Sequence, residues 1–367
     1  MSNSNTPYRF LFAAGGTGGH LYPAVAVADE IKKIKPESEI LFVGTKDRIE
    51  GRVIPKLGYK FKSIWIKGFA RKLNLSNLLF PIRLLVSLIQ SILISMKFKP
   101  RVAIGTGGYV AGPALWGASV MGAKIILMES NSYPGITTRL LERYADEVHL
   151  SFESSKKYLR RQNILKVTGN PVRENLGTTD KLSAKKYFGL DENKKTILVL
   201  GGSLGASSIN RAIEKSLNSL IENNLQLIWQ TGKNYYDHYK NLNFAAVKIF
   251  DFVEDMNKAY SACDLLVARA GATTIAELTV LGLPAILIPS PNVAENHQYH
   301  NAKALSDENA AVLIKDDELE NKLQETILNL IKDSENLNQL ASNAKKLAKP
   351  DAAKEIALSA IKFAQII

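Results

Sequence analysis

A short run of glycine, threonine and glutamate combines residue types that can hold a nucleotide. It reads Ala268-Arg269-Ala270-Gly271-Ala272-Thr273-Thr274-Ile275-Ala276-Glu277 and follows the apolar segment Asp264 to Val267. The segment predicts a buried strand, and Thr273 or Thr274 offers an N-cap for a helix after the glycine turn. Free N–H groups at a helix start favour phosphate, and the two carboxylate oxygens of Glu277 can accept from two neighbouring hydroxyls. The run fits either a nucleotide site or an ordinary capped helix in which Glu277 complements the dipole.

Glycine or polar loops also follow other predicted strands. A strand over Tyr8 to Ala14 runs into Gly15-Gly16-Thr17-Gly18-Gly19-His20, and a helix is predicted over Ala24 to Ile31. Two later apolar segments end at the loops Gly105 to Pro113 and Glu129 to Asn131. The first loop is neither the dinucleotide fingerprint nor a P-loop, because it lacks the third glycine of one and the Gly-Lys-Ser/Thr of the other. Ligands of open α/β sheets bind beyond the carboxyl ends of strands, where these loops are expected.

The strand-and-loop plan occurs twice along the 367 residues. Thr196 to Leu200 followed by Gly201 to Ala206 (GGSLGA) echoes the first strand and its loop. The repeat predicts two similar α/β domains that face each other across a cleft, with a hinge near Pro171. We expect an N-terminal domain over 1–170, a second domain over 171–345, and a final helix within 346–367 that packs back on the first domain.

Charge is distributed unevenly over the chain, whose formal net charge is +12. The segment from Gly51 to Met128 has twelve Lys and Arg and no Asp or Glu. Within it, the apolar stretch 78–94 has a narrow polar stripe through Arg83, Ser87 and Gln90, which fits either a core helix or a helix in a membrane interface. Flanking lysines and arginines favour an anionic membrane surface over nucleic acid, since no RNA-binding aromatic motif or zinc-finger spacing is present.

Cysteine usage and the N-terminus point to the cytosol. The single cysteine, Cys263, has no partner for an internal disulfide, and the chain does not start with a basic region followed by an apolar core and a cleavage site. We therefore expect the chain to stay in the cytosol.

Six sequence blocks in one order resemble a known family. They are GGTGGH at 15–20, GGYVAGP at 107–113, GNPVR at 169–173, GGSLGA at 201–206, the segment from Gly271 to Glu277, and His297-Gln298-Tyr299. Over nearly the whole chain these blocks resemble the MurG family, bacterial transferases that add N-acetylglucosamine to the lipid-linked muramyl-pentapeptide precursor of peptidoglycan. The resemblance implies the GT-B glycosyltransferase fold of two Rossmann-like α/β domains facing a cleft. It also implies that the second domain binds UDP-N-acetylglucosamine. The first domain is expected to bind the undecaprenyl-diphosphate-linked muramyl-pentapeptide, which places the protein on the cytoplasmic face of the cell membrane as a peripheral protein.

The resemblance also implies site residues in the first domain. Thr17, Gly18 and Gly19 match the family loop at the diphosphate and acceptor side, and Asn131 matches an asparagine near the transferred sugar. Without the resemblance, Asn131 reads as a turn residue before Pro134, and Ser203 reads as a turn hydroxyl.

In the second domain, the resemblance implies residues that bind the donor. Arg173 and Ser203 match donor contacts, the backbone at Val253 matches the uracil contact, and Gln298 matches the glutamine that reads the sugar. The uridine and phosphate helix is matched by Ala272, Thr273, Thr274, Ile275, Ala276 and Glu277. His297 and Leu204 depart from the residues common in the family, so no role is carried over to their side chains.

The implied reaction sets the chemistry that residues must supply. The acceptor 4-hydroxyl attacks the anomeric carbon and inverts it, while negative charge grows on the departing diphosphate. The sequence has no Asp-x-Asp pair of the kind that holds a metal in many sugar transferases, so we expect no metal or other cofactor, with helix N-termini and Arg173 stabilising the charge. His20 is the candidate general base because an imidazole titrates near neutral pH. It could instead orient a phosphate, and Tyr109 or Glu129 could be the base.

Two other classes of function remain open on the sequence. A nucleotide-sugar epimerase would share the fold and the uridine site, but it has no use for a basic, apolar first domain. A non-enzymatic, membrane-associated nucleotide-binding protein would leave the matched glycine loops unexplained. For the transferase, cell-wall synthesis proteins are further candidate partners.

Overall fold

The computed structural model describes residues 8–68, 79–172, 176–202 and 204–366. The chain divides into two compact units. Unit 1 comprises Met1–Arg173 with Lys349–Ile367, and unit 2 comprises Glu174–Ala348, each as far as its residues are described. Both are built on a parallel β-sheet, so the prediction of two α/β parallel-sheet domains is confirmed.

Unit 1 contains a seven-stranded parallel sheet in the order β3-β2-β1-β4-β5-β6-β7. Its strands are β1 Arg9–Ala13, β2 Glu39–Gly44, β3 Lys60–Ser63, β4 Val102–Gly105, β5 Lys124–Glu129, β6 Glu147–Leu150 and β7 Leu165–Val167. The helices between them are α1 Gly18–Ile34, α2 Ile49–Lys56, α3 Phe80–Phe98, α4 Gly108–Val120 and α5 Ile136–Leu141.

Unit 2 contains a six-stranded parallel sheet in the order β10-β9-β8-β11-β12-β13. Its strands are β8 Lys195–Leu200, β9 Leu225–Gln230, β10 Val247–Phe250, β11 Leu265–Arg269, β12 Ala285–Ile288 and β13 Val312–Leu313. Its helices are α6 Lys181–Tyr187, α7 Ser207–Glu222, α8 Tyr236–Tyr239, α9 Met256–Ala262, α10 Ala272–Leu281, α11 His297–Ser306, α12 Leu319–Lys332 and α13 Ser334–Lys346. The last helix, α14 Ala352–Ile366, belongs to unit 1 and packs against α1.

The central strands are almost continuously apolar because helices cover both faces of each parallel sheet. In β1, Phe10 and Phe12 point into one buried cluster and Leu11 and Ala13 point into another. Such strands have no polar face, so their register is fixed by pairing at the sheet centre, where Phe10 lies opposite both Ile40 and Val102. The carboxyl ends of the strands therefore meet along one edge of each sheet, and the loops predicted to bind ligands follow them.

The first helix starts earlier than the sequence predicts. A start at Ala24 was expected after Pro23, but α1 begins at Gly18 and includes Pro23 in its second turn. Because proline has no N–H, Pro23 costs α1 the hydrogen bond to the carbonyl four residues earlier, and the helix continues past this position. As a result His20 lies in the first turn of α1 rather than in a loop.

Helix α3 turns one apolar face outward, whereas its side chains Phe80, Leu84, Ile94 and Phe98 pack against a buried cluster of unit 1. Ser87, Ser91 and Ser95 are its buried residues, and they follow one another on the face towards α4. The two helices approach closely, since a Cβ at Gly117 of α4 would come within 2.8 Å of the Ser91 backbone. The large exposed side chains at this helix are Leu79, Ile82, Leu85, Ile89, Leu93 and Met96. The core-helix interpretation of the stretch 78–94 is therefore wrong for this exposed face. Residue 78 lies outside the described residues.

Candidate active site

In unit 2, the run from Gly271 to Glu277 forms the start of α10 at the carboxyl end of β11. The N-cap is Gly271, in extended conformation, and no side chain caps the helix. The prediction that Thr273 or Thr274 is the N-cap is wrong, because the helix already begins at Ala272 and both threonines lie in its first turn. The Oγ1 atom of Thr273 is buried and has no hydrogen-bond partner among the described residues. The N–H groups of this first turn are left for a ligand or for water.

Glu277 lies one turn further along α10, on its buried side. Its side chain is only 5% exposed. The phenol of Tyr260 in α9 donates a 2.8 Å hydrogen bond to its Oε2 atom. A buried carboxylate needs such partners, since an isolated one is costly to desolvate. The phenol therefore fixes the orientation of the carboxylate that the sequence assigns to a ribose.

Two further predicted donor residues follow the carboxyl ends of β10 and β12 in the same sheet. Val253, after β10, is buried, and its N–H donates a 2.9 Å hydrogen bond to Oε1 of Gln230. Gln298 is the second residue of α11, and its Oε1 accepts a 2.9 Å hydrogen bond from the N–H of Ser290, after β12. Val253, α10 and Gln298 thus lie at the loop-bearing edge of one sheet. Arg173 and Ser203 lie outside the described residues.

In unit 1, the first glycine loop is held by a buried carboxylate that the sequence analysis missed. Glu50, the second residue of α2, accepts a 3.2 Å hydrogen bond from the N–H of Gly16 through Oε2. Its Oε1 accepts from the N–H and the hydroxyl of Thr45 at 3.0 and 2.7 Å. One side chain therefore ties the loop after β1 to the loop after β2. Its sequence context is an ordinary first-turn helix acid, so no local signal distinguishes it.

Thr17, Gly18 and Gly19 lie at the start of α1, beside His20. Thr17 is the N-cap residue and is exposed, as is Gly19. The His20 ring lies against the second glycine loop, where a Cβ at Gly107 would be 3.2 Å from its Cε1 atom. Gly107 has φ +93°, so a side chain there would be both strained and in the way of the imidazole. The two glycine loops of unit 1 are therefore brought together around His20.

Asn131 is held by Glu129, the last residue of β5. Oε1 of Glu129 accepts from the Asn131 N–H at 2.9 Å and from its Nδ2 at 3.3 Å. Oε2 accepts from the Gly135 N–H at 3.0 Å and from the Thr138 hydroxyl at 2.6 Å. Burial raises the pKa of Glu129, while the hydrogen bonds from Thr138, Asn131 and Gly135 act to lower it. The geometry makes Glu129 the organiser of the Asn131 loop.

The described residues contain no group of three or more His, Cys, Asp or Glu side chains that could hold a metal ion. One helix, Phe80–Phe98, is long and apolar enough to cross a membrane, and only 17% of that stretch is buried inside the protein. Length and composition alone do not separate crossing a membrane from lying on its surface.

Both units match models of one protein family. Residues 10–150 match the glycosyltransferase family 28 N-terminal domain, and residues 196–356 match the glycosyltransferase family 28 C-terminal domain. Together with the two parallel-sheet units, these matches define the class of protein, a family 28 glycosyltransferase.

Relatives within this class are similar over almost their whole length. The chain is 45% identical over 350 residues to the UDP-N-acetylglucosamine–N-acetylmuramyl-(pentapeptide) pyrophosphoryl-undecaprenol N-acetylglucosamine transferase of Christiangramia forsetii, covering 95% of each chain. It is 43% identical to the transferase of the same name from Flavobacterium psychrophilum, covering 98% of each. The crystal structure of Acinetobacter baumannii MurG is similar with a TM-score of 0.76 and 26% identity, covering 97% of this chain and 100% of that one. The chain belongs to the MurG family, as its six sequence blocks indicate.

Proposed function

We propose that the protein transfers N-acetylglucosamine from UDP-N-acetylglucosamine to the 4-hydroxyl of undecaprenyl-diphosphate-linked N-acetylmuramyl-pentapeptide. The reaction inverts the anomeric carbon and belongs to peptidoglycan synthesis. The observation that carries the proposal is the pairing, in α10, of uncapped first-turn N–H groups with the buried, oriented carboxylate of Glu277. A uridine diphosphate presents phosphate oxygens and two ribose hydroxyls at one end of the donor, and this helix offers a partner for each.

The remaining donor contacts are assigned to the loops around α10. The backbone at Val253 meets uracil, and Gln298 contacts the sugar. Ala272, Thr273, Thr274, Ile275 and Ala276 supply the helix start that faces the phosphates, with Arg173 and Ser203 as further donor contacts. Negative charge on the departing diphosphate is stabilised by helix N–H groups and by the Arg173 guanidinium, because preorganised donors stabilise charge without rearranging during the reaction.

Unit 1 binds the acceptor and supplies the base. Thr17, Gly18 and Gly19 open α1 towards the acceptor diphosphate, and Glu50 keeps the loop in place through the N–H of Gly16. Asn131, oriented by Glu129, contacts the transferred sugar. His20 removes the proton of the 4-hydroxyl as that oxygen attacks the anomeric carbon, and the bond to the diphosphate breaks on the opposite face. Glu129 is a poorer candidate for the base, because four donors from its own loop already occupy its carboxylate.

The acceptor is a lipid, so unit 1 also has to meet a membrane. The exposed face of α3 carries large apolar side chains, and Lys97 and Lys99 lie at its end. Lys60 and Lys62 lie on β3, the edge strand of the unit 1 sheet. Arg71 and Lys72, which also flank the apolar stretch in the sequence, lie outside the described residues. An apolar helix face flanked by cations is suited to lie in the interface of an anionic membrane. We assign the protein to the cytoplasmic membrane face, as a peripheral enzyme.

The test follows UDP release with and without the lipid acceptor. For the transferase, UDP appears from UDP-N-acetylglucosamine only when the undecaprenyl-linked muramyl-pentapeptide is added. Release of UDP, or isomerisation of the sugar, without acceptor would instead identify an epimerase of the same fold. No turnover at all, despite uridine nucleotide binding, would identify a non-enzymatic binding protein.

A further inference from the structure

Gln230 is the last residue of β9, and it lies between the loop that follows β8 and the loop that follows β10. It lies opposite Leu200 of β8 and opposite Phe250 of β10, where strand pairing ends on both sides. Beyond these partners, the N–H of Thr231 still donates to the Phe250 carbonyl at 3.0 Å, and the loops after β8 and β10 then leave the sheet. A side chain at this strand end can connect one of these loops to the other.

The Gln230 side chain provides such a connection with both ends of its amide. Its Oε1 accepts a 2.9 Å hydrogen bond from the N–H of Val253, after β10. Its Nε2 donates a 3.1 Å hydrogen bond to the carbonyl of Gly202, after β8. The same carbonyl accepts from the N–H of Gly205 at 3.0 Å, which closes the turn that leads to α7. The two partners also fix which end of the amide is oxygen and which is nitrogen.

A role in packing alone does not account for glutamine at this position. Gln230 is 4% exposed, and burying an amide is unfavourable unless its polar atoms are bonded. A leucine or methionine would fill the same volume without that cost. The amide therefore contributes the connection between the two loops, which an apolar side chain cannot make.

We propose that Gln230 is a positioning residue for the nucleotide donor, which holds the Val253 segment and the Gly202 turn at a fixed separation. The inference rests on the proposed function, in which Val253 meets uracil and Ser203, in the loop after β8, is a further donor contact. It assigns that loop to the donor diphosphate. Uracil and diphosphate lie on opposite sides of the ribose in UDP, so the two segments that contact them have to be spaced to match both groups at once. A site whose spacing is set in advance spends less of its binding free energy on ordering loops.

The same strand offers a matched control at its other end. Gln226 is also a buried glutamine of β9, with 0% exposure. Its Nε2 donates to the carbonyl of Asp191 at 2.8 Å and to the Thr196 hydroxyl at 3.0 Å, and its Oε1 accepts from the Asp191 N–H at 2.9 Å. It thus bridges chain segments as Gln230 does, but at the amino end of the sheet, away from the loops proposed to bind the donor. The Gln226 variant therefore measures how the loss of such a bridge changes UDP binding through the stability of unit 2 alone.

The experiment measures the dissociation constants of UDP and uridine by calorimetry for the parent chain, Gln230→Met, Gln230→Glu and Gln226→Met, each at a temperature where it is folded. We expect Gln230→Met to weaken UDP binding about tenfold or more, the size of one or two lost hydrogen bonds, and Gln226→Met to change it less than about twofold. Gln230→Glu keeps an acceptor for Val253 but loses the donor to Gly202. It should therefore weaken UDP more than uridine, which lacks the diphosphate.

The outcomes separate this inference from the proposed function. Equal weakening by Gln230→Met and Gln226→Met, or UDP binding by Gln230→Met within about twofold of the parent, would overturn the positioning role while leaving the donor site intact. Failure of the parent chain to bind UDP would overturn the proposed function and the inference with it. If Gln230→Met does not fold, the comparison between Gln230→Glu and the parent decides: an equal loss of UDP and uridine affinity, or no loss of either, contradicts the proposal.

Discussion

Oε2 of Glu277 accepts a hydrogen bond from the Tyr260 phenol at 2.8 Å, and both side chains are buried in unit 2. The carboxylate is thus oriented before any ligand binds. We predict that Glu277→Ala raises the Michaelis constant for the donor by about 10- to 100-fold, the range for hydrogen bonds to a charged group, with a much smaller effect on turnover. The physical reason is that a ribose contact stabilises the ground state and the transition state alike.

Steady-state kinetics at varied donor concentration measures this split, and Tyr260→Phe serves as its control. That variant keeps the carboxylate and removes only the tyrosine hydroxyl that orients it. It should therefore also raise the Michaelis constant for the donor, but by less. Unchanged donor affinity in a folded Glu277→Ala variant would rule out the ribose assignment.

His20 lies where the two glycine loops of unit 1 meet, with its ring against Gly107. If it is the base, His20→Ala should lower turnover by roughly 10²- to 10⁴-fold, the usual contribution of a positioned acid–base group, with little change in UDP affinity. Turnover and UDP binding measured from about pH 6 to 9, around the usual titration range of an imidazole, check this. A variant whose acidic limb matches that of the parent, with weakened binding of phosphate-bearing ligands, would make His20 a phosphate-orienting residue.

The sequence contains no Asp-x-Asp pair, and charge stabilisation is assigned to helix N–H groups and to Arg173. We therefore predict that turnover remains largely intact after dialysis against a strong chelator, measured in metal-free buffer. If turnover is lost completely in chelator and manganese or magnesium restores it, charge stabilisation cannot be assigned to helix N–H groups and Arg173 alone.

The outward face of α3 predicts where the protein meets the membrane. Replacing Leu85 and Ile89 by glutamine should reduce binding to vesicles that contain anionic lipid by about tenfold or more, because buried apolar area drives interfacial binding. Both side chains are more than half exposed, so the variant should keep its thermal stability and its UDP affinity. Sedimentation with vesicles of defined composition measures the effect.

A control for the membrane prediction lies in unit 2. Leu182 of α6 is 56% exposed, close to the 60% of Leu85, but it belongs to the unit that is assigned to the nucleotide. Leu182→Gln should leave vesicle binding unchanged. If Leu182→Gln weakens vesicle binding as much as the α3 variant does, α3 does not form the membrane contact. The same conclusion follows if the α3 variant binds vesicles as tightly as the parent.

Much of the fold could be predicted from the sequence, because parallel strands buried on both faces appear as short apolar runs such as Phe10-Leu11-Phe12 and Ile197-Leu198-Val199. The glycine loops predicted after these strands do follow the carboxyl ends of β1, β4 and β8. Local chemistry was less reliable at helix starts. At α10 the helix begins one residue before Thr273, with Gly271 as N-cap, and at α1 it includes Pro23.

The side chains that hold the loops in place could not be predicted. Glu50 reaches Gly16 across 34 positions, and Gln230 reaches Gly202 across 28. Such contacts depend on which strands become neighbours, and nothing in the residues next to Glu50 or Gln230 marks them. The same limit applies to α3, where the serine stripe is equally consistent with solvent and with close helix packing until the position of α4 is known.

The most direct measurement uses UDP-N-acetylglucosamine that is labelled on its sugar and determines whether the label enters the lipid fraction. The purified protein is incubated with this donor and with undecaprenyl-diphosphate-linked muramyl-pentapeptide in anionic vesicles, and the extracted product is analysed for its linkage. We predict that label enters the lipid fraction in a disaccharide whose new bond joins N-acetylglucosamine to the 4-hydroxyl of the muramyl sugar in the inverted, β configuration. An acceptor that lacks this hydroxyl should give no labelled lipid. Label that stays in water-soluble sugars in the presence of acceptor, or a lipid product of retained configuration, would contradict this prediction.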